Sequence, residues 1–231
     1  MNTATICASC AAMLGLATGI AVADDPDPAN SLRLGMYAVF YHTKADDLAG
    51  PYVPPGANLK ADNDQTLYAG YVRTLSTHFA AELAFGVPPL NKTEGRGLAT
   101  LGSAPYNGQV IAAARWFSPT LLLEYSFFDE LARLRPFIGA GVNYTRFYDR
   151  DSTAAGNAVS GGPTRLELPV SVGPAATVGL SYRIAPHWGL YASYSVSRVD
   201  TRLTADTAGL VRTSHIAFGP QALVLSAGYS F

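Results

Sequence analysis

Four charged residues are predicted to meet inside the folded chain: Arg33, Glu82, Glu124 and Arg183. Each lies on the non-apolar face of an alternating segment, a few residues from a short turn or a chain end. Two carboxylates and two guanidinium groups at one level can form charge-assisted hydrogen bonds. The set is interpreted either as a polar plug that closes one end of a lumen or as a structural ion network. The pattern leaves the orientation of Arg73 open.

Histidines offer the other candidate chemistry. His78 and His187 lie in predicted turns, whereas His42 and His215 lie at the ends of predicted strands. Ser214 precedes His215, but it falls in a predicted loop, without an evident group to orient the histidine as a general base. No metal-ligand spacing occurs. The sequence therefore predicts neither enzymatic activity nor a cofactor or metal.

The first 23 residues resemble a secretory signal peptide, with an apolar stretch and a small-residue cleavage site ending at Ala23. The stretch before it carries no Lys or Arg, so a different start and a short N-terminal helix both remain open. Cys7 and Cys10 fall inside this segment. The predicted mature chain, residues 24–231, is therefore one domain without disulfides or thiol chemistry.

The composition favours a membrane wall built of strands. Hydrophobic residues make up 48% of the chain and charged residues 14%, below the usual quarter. Beyond the N-terminus, no apolar run reaches the length of a transmembrane helix. The net charge is −1, so nothing in the charge balance favours binding to nucleic acid.

Alternation of apolar and polar or small residues marks the strands that would position the charges. It is strongest at the end of the chain, where Leu223 to Phe231 present an apolar face over the length of a membrane-crossing strand. The predicted strands are 31–42, 65–75, 79–87, 108–128, 135–149, 173–184, 188–200 and 217–231.

Connection lengths give the topology. Long connections at 43–64, 90–107, 150–172 and 201–216 alternate with short ones at 76–78, 129–134 and 185–187. Outer-membrane barrels have this asymmetry, with long loops outside and short turns in the periplasm. The sequence predicts an all-β fold: an eight-stranded antiparallel transmembrane β-barrel with both termini in the periplasm.

The last strand ends in aromatic residues. Tyr229 and Phe231 resemble the C-terminal signal by which bacterial outer-membrane barrels are recognised for assembly, so the barrel assembly machinery is an expected partner. Phe79, Phe127 and Trp188 lie beside short turns, as in an interfacial aromatic girdle. Outer-membrane lipid and lipopolysaccharide are the surroundings that this placement predicts.

Residues 135–149, RPFIGAGVNYTRFYD, closely resemble the signature strand of the outer membrane protein W (OmpW) family, which includes AlkL-type hydrocarbon uptake proteins. Residues 119–125 resemble the family's preceding strand, and residues 226–231 its terminus. The resemblance implies an eight-stranded barrel whose narrow lumen passes small hydrophobic molecules inward, with a sideways exit into the membrane. It implies no reaction.

The predicted lumen lining combines alternation with that resemblance. The inward set is Tyr37, Val39, Tyr41, Ala84, Leu122, Tyr191 and Val224, and Val172 is added by alignment to the family. In the family a Leu and a Trp narrow the lumen; here those positions correspond to Ala84 and Val172. The composition of the gate therefore departs from the family pattern.

Ser118, Pro119 and Thr120 are the predicted sideways exit. Proline lacks an amide hydrogen, so Pro119 removes one ladder bond and can part its strand from a neighbour. The alternative is a bulge that only adjusts barrel curvature.

The favoured function is passive uptake of small hydrophobic molecules. A structural or interaction barrel that binds surfaces, phage or proteins through its loops is the alternative, and a lipid-modifying enzyme is the least favoured.

Overall fold

The computed structural model describes residues 29–97, 100–101 and 104–231. The predicted signal peptide, with both cysteines, lies outside these residues. In chain order the elements are β1 (Asn30–Tyr41), β2 (Lys44–Ala45), β3 (Asn58–Ala61), β4 (Asp64–Thr74), β5 (Phe79–Gly86), β6 (Leu90–Arg96), β7 (Thr100–Leu101), β8 (Ala104–Pro105), β9 (Val110–Phe117), β10 (Thr120–Ser126), β11 (Leu134–Ser152), α1 (Ala154–Ser160), β12 (Thr164–Glu167), β13 (Ser171–Ala185), β14 (Trp188–Ser197), β15 (Asp200–Thr207), β16 (Leu210–Ala217) and β17 (Pro220–Ser230).

Eight strands close into a barrel in the order β1–β4–β5–β10–β11–β13–β14–β17, and β17 pairs back with β1. All eight pairings are antiparallel. Neighbouring strands are joined by short turns at one end, the turn end, and by long connections at the other, the loop end. The predicted eight-stranded antiparallel barrel is confirmed.

The faces of the barrel wall follow the alternation of the sequence. In β1, Leu34 is 66% exposed, whereas Val39 is 6% exposed; in β17, Leu225 is 54% exposed and Val224 is 7% exposed. Every barrel strand repeats this pattern, with apolar side chains outward. A continuous apolar outer band is what a barrel in lipid requires, because no polar group there finds a partner.

The long connections are more ordered than a loop prediction implies. Outer segments of the wall continue above the apolar band in the order β3–β6–β9–β11–β12–β15–β16–β2. We call this part the upper tier. The predicted loop 201–216 is a β-hairpin, because its inward residues Leu203, Ala205 and Ile216 have a core to join.

That core fills the upper tier. Thirteen buried apolar residues of the described ranges form it, with Trp116, Phe147 and Phe218 at its base and Leu59, Val159 and Leu166 higher up. The helix α1 contributes Val159 and is capped by Thr153, whose Oγ1 accepts from the amide of Gly156 at 3.0 Å. Within the described part of the chain, no helix has both the length and the apolarity to cross a membrane.

Candidate functional site

The lower lumen is crossed by one ion cluster. Arg33 Nη1 lies 3.2 Å from Glu82 Oε2, and Arg33 Nη2 lies 3.4 Å from Glu124 Oε2. All three side chains are buried; Glu124 is 2% exposed. The hydroxyl of Tyr68 donates to Glu82 Oε1, and the guanidinium stands 4.1 Å from the centre of the Tyr191 ring. A single guanidinium thus serves two carboxylates in an environment that water does not screen.

Arg183 was expected in this cluster, and that prediction is wrong. Its guanidinium instead donates to the carbonyls of Glu130 and Ala132 in the turn between β10 and β11, the latter at 3.1 Å. Strand tilt is the reason. Following the paired residues from Arg33 across β17 and β14 leads to Arg183 on β13. Following them the other way round, across β4, β5, β10 and β11, leads to Gly173, which lies ten residues from Arg183 on the same strand. Equal register is therefore not equal height.

Above the ion cluster lies a cavity of about 130 Å³, which we call the membrane cavity. Six of the predicted lumen residues line it: Tyr37, Val39, Tyr41, Ala84, Leu122 and Val224. Part of its wall is polar, because Thr120, Asn143, Thr177 and Ser195 also face it. Their side chains bond to one another, as in Asn143 Nδ2 to Thr120 Oγ1 at 2.8 Å and Ser195 Oγ to Thr177 Oγ1 at 2.9 Å.

Two predicted lining residues lie elsewhere. Val172 is 65% exposed on the outer face of β13, so its assignment to the lumen is wrong. The inward neighbours of Val172 are Ser171 and Gly173, since side chains alternate along a strand. Tyr191 does point inward, but it stacks on Arg33 and lines the space at the turn end below the ion cluster.

An aromatic cluster closes the top of the membrane cavity. The Trp116 ring lies 4.6 Å from Tyr41, 5.3 Å from Phe147 and 4.6 Å from Phe218, centre to centre. Trp116 is 8% exposed and lines both this cavity and a second cavity in the upper tier. Sequence reasoning missed it. Leu122 and Glu124 face inward, and continuing the two-residue alternation back past Pro119 places Trp116 on the same inner face.

The wall beside the membrane cavity contains a break. The ladder between β5 and β10 ends at Ala84 and Thr120, and the ladder between β6 and β9 resumes at Leu90 and Arg115. Between these pairs, residues 85–89 and 116–119, all of them described, form no backbone ladder with one another. Four to five residues per strand correspond to about 13–17 Å of wall.

A proline and an aromatic ring maintain this break. The amide of Val87 donates to the Leu67 carbonyl on the β4 side, so the next residue, Pro88, faces the break and has no amide hydrogen to donate across it. The ring of Tyr37 covers Gly86, where a Cβ atom would lie 2.1 Å from the ring, so a larger residue there would displace Tyr37. Exposed apolar side chains, Val87 and Leu121 among them, flank the break on the outside. The membrane cavity reaches it through Gly86, Pro89, Ser118 and Thr120.

The missing amide hydrogen of Pro119 affects the pairing with β11 and not the pairing with β5. The Pro119 carbonyl accepts from the amide of Tyr144 on β11 at 2.9 Å. In an antiparallel pair the amide and carbonyl of one residue face the same neighbour. The missing donor of Pro119 therefore faces the Tyr144 carbonyl rather than β5. Ser118 and Thr120 do lie at the edge of the break, but the missing hydrogen of Pro119 does not create it.

The remaining predicted sites are placed as follows. Tyr229 packs on Trp188 at 5.1 Å, and Phe231 stacks beside Tyr229 at 6.5 Å, at the turn end. Ser214 lies in β16 and not in a loop, and its hydroxyl donates inward to the carbonyl of Asp46 at 2.7 Å. His215, the next residue, points outward. Adjacent strand residues face opposite ways, so Ser214 and His215 do not form a nucleophile–base pair.

A closed antiparallel barrel of eight strands with an apolar outer band is an integral outer-membrane β-barrel. The sequence model of the OmpW family matches residues 31–231. The chain belongs to the OmpW family, as residues 135–149 predicted. Its location is the outer membrane of a Gram-negative bacterium, with the turn end in the periplasm and the loop end outside.

Known proteins agree with this assignment. The chain is 27% identical over 200 residues to outer membrane protein W of Vibrio cholerae, covering 87% of each chain. It is 25% identical over 178 residues to outer membrane protein AlkL of Ectopseudomonas oleovorans, covering 77% of this chain and 70% of AlkL. The crystal structure of OprG from Pseudomonas aeruginosa matches with a TM-score of 0.78 at 22% identity, covering 87% of this chain and 95% of OprG. This last likeness shows a shared fold.

Orientation can be measured by cysteine labelling, since residues 24–231 contain no cysteine. Ala208 is exposed at the tip of the β15–β16 hairpin, and Leu131, in the turn after β10, is 89% exposed. An impermeant maleimide should label Ala208→Cys in intact cells and Leu131→Cys only after lysis. Labelling of Leu131→Cys in sealed cells would show that the barrel has the opposite orientation.

Proposed function

We propose that this barrel takes up small hydrophobic molecules passively and releases them sideways into the membrane. One observation carries the proposal: the membrane cavity lies directly behind the break in the wall between β5–β6 and β9–β10. A molecule in that cavity is separated from lipid by apolar side chains and by two backbone segments that form no ladder with each other, although Arg115 Nη1 donates to the Pro88 carbonyl at 2.9 Å. The family resemblance implies the same class of cargo.

The ion cluster gives the route its direction. Arg33, Glu82 and Glu124 occupy the lumen below the membrane cavity, between it and the periplasmic end. An apolar molecule that continued downward would have to separate a buried guanidinium from two carboxylates, which is costly. Sideways movement takes the molecule from a partly polar cavity into an apolar bilayer and disrupts no ion pair. The cluster thus serves as the polar plug, and Ser118, Pro119 and Thr120 form one edge of the exit.

The upper route passes Trp116. This residue separates the membrane cavity from the cavity of the upper tier, so cargo arriving from outside meets the aromatic cluster first. Rotation of the indole against Tyr41 and Phe218 would join the two cavities. No catalytic step is part of this function, and we assign no cofactor.

Surroundings complete the proposal. Lipopolysaccharide surrounds the outer part of the apolar band, and the barrel assembly machinery recognises Tyr229 and Phe231 at the end of β17. Both aromatic side chains lie at the turn end, next to His187 and Trp188. The small hydrophobic cargo is the remaining partner.

A blocked cavity tests the proposal. Val224 faces the membrane cavity and is 7% exposed, whereas its neighbour Leu223 faces lipid and is 47% exposed. Val224→Trp should reduce uptake of a small apolar tracer to the level of cells without the barrel, because the added ring fills the route. Leu223→Trp is the matched control and should leave uptake unchanged at equal amounts of folded barrel. If both variants take up tracer like the wild type, the lumen is not the route and the interaction-barrel alternative is favoured.

A further inference from the structure

A second cavity, of about 100 Å³, lies above Trp116 inside the upper tier. Its wall is mainly apolar, with Leu59, Ile111 and Leu166 among the lining residues. Tyr52, 81% exposed, stands at its outer rim. We call this space the outer cavity. A closed cavity of about 150 Å³ accommodates benzene, so a small ring compound held in this smaller space would extend past Tyr52 at its outer rim.

Asn91 presents an unpaired acceptor to this cavity. It is 3% exposed, points inward from β6 and lines both cavities. Its Nδ2 lies 3.5 Å from Asp64 Oδ2, which fixes the amide with nitrogen toward the carboxylate. Asn91 Oδ1 has no hydrogen-bond partner among the described residues. A buried acceptor without a donor is costly, and a ligand that donates a hydrogen bond would remove that cost.

Tyr106 presents a second unpaired group on the same wall. It is 4% exposed, and its ring lies over Gly95, where a Cβ atom would come within 3.0 Å of the ring. Its hydroxyl has no partner in the described part of the chain. Burial raises the pKa of the Tyr106 phenol, so the hydroxyl stays protonated and can both donate and accept. Asn91 and Gly95 lie on one face of β6, about 13 Å apart along the strand.

Charged head groups fit this cavity poorly. Arg212 also lines it and is 8% exposed, so a positively charged amine would meet a like charge in a poorly hydrated space. The guanidinium of Arg212 already donates to the carbonyls of Pro51 and Ser160. A carboxylate would be attracted by Arg212, but it offers no hydrogen to Asn91 Oδ1. A neutral hydroxyl can donate to Asn91 Oδ1 or pair with the Tyr106 hydroxyl, one at a time.

We propose that the outer cavity binds small, mainly apolar molecules that carry one neutral hydroxyl group, which pairs with Asn91 or Tyr106. Asn91 lies on β6 and the Tyr106 ring lies over Gly95 of the same strand, so the two groups form successive hydrogen-bonding positions along this wall. This inference deepens the proposed uptake function by naming the cargo as a small alcohol rather than a pure hydrocarbon. Binding in the outer cavity does not itself depend on the sideways exit.

The test measures binding to the purified barrel in micelles by tryptophan fluorescence. The sequence has two tryptophans, so a Trp188→Phe background leaves Trp116, beside the outer cavity, as the reporter. The probes are cyclopentanol, cyclopentane, cyclopentylamine and cyclopentanecarboxylate. Cyclopentanol should bind roughly fivefold more tightly than cyclopentane, as expected for one hydrogen bond to a buried unpaired group. Each affinity is compared at one micelle concentration and corrected for partition of the probe into the micelle.

Asn91→Leu and Tyr106→Phe are the informative variants, because each removes one polar group at nearly constant size. The double variant should lose the preference for cyclopentanol, keep its affinity for cyclopentane, and unfold at no lower temperature than the wild type. Equal binding of alcohol and alkane by the wild type overturns the inference, as does tightest binding of the carboxylate or the amine. A preference that survives the double variant also overturns it. Tracer uptake blocked by Val224→Trp would stand in each case, so the two proposals fail separately.

Discussion

Arg33→Met is expected to lower the free energy of unfolding of the barrel by about 3–5 kcal/mol, the cost of breaking a buried ion pair by removing one partner. Methionine keeps the length of the side chain but removes the charge. Glu82 and Glu124, 4% and 2% exposed, would then face each other without a cation. Urea unfolding of the refolded barrel in micelles measures the change.

Rescue distinguishes lost charge from lost packing. Replacing Glu82 and Glu124 with Gln in the Arg33→Met background should restore most of the stability, because no uncompensated charge remains buried. Arg183→Met is the matched control. Arg183 binds backbone carbonyls at the periplasmic turn, so this change should cost clearly less. If Arg33→Met unfolds like the wild type, the cluster contributes nothing to stability.

The two carboxylates should also be coupled. Glu124→Gln alone leaves Arg33 paired with Glu82 at 3.2 Å, so it should cost less than Arg33→Met. The effects of Glu82→Gln and Glu124→Gln should not add in a double-mutant cycle, since both carboxylates share one guanidinium. Additive effects would remove the support for a shared network.

A disulfide across the break in the wall is expected to reduce tracer uptake to nearly the level of cells without the barrel, and a reductant is expected to restore it. Extending the β5–β10 ladder by one residue beyond Ala84 and Thr120 places Phe85 opposite Pro119. Pro119 directs its backbone groups to Tyr144, so a ladder continued to this position would make a non-hydrogen-bonded pair on the β5 side, and the disulfide would have to draw the two Cα atoms to about 4.5 Å, the spacing of such a pair. That separation suits a disulfide.

The control is a disulfide within the intact ladder. Ala81 and Leu123 are register partners on the lipid face below the break, so Ala81→Cys/Leu123→Cys should leave uptake unchanged under oxidation. Pro119→Thr gives a further contrast, since the new amide would donate to the Tyr144 carbonyl and leave the break open. Full uptake by the oxidised Phe85→Cys/Pro119→Cys barrel would place the exit elsewhere.

Much of the fold could be predicted because its signals are local. Side chains alternate along a strand with a period of two, so Leu34 and Leu225 could be assigned to the outer face and Val39 and Val224 to the inner face from the sequence. The lengths of the connections then gave the number of strands and their direction. Arg33, Glu82 and Glu124 were predicted to meet because each lies inward and near the same end.

The height of a side chain inside the barrel, and the strand to which each backbone group bonds, depend instead on how the sheet closes. Arg183 points inward as predicted, but strand tilt separates it from Arg33, and no single strand records that stagger. The upper tier became strands rather than loops because its inward side chains found a shared core. The sequence shows that Pro119 lacks a hydrogen, but only pairing with Tyr144 decides which neighbour loses the bond. The break itself arises where Pro88 and Pro89 meet residues 116–119, a contact between segments that are distant in sequence and are brought together by barrel closure.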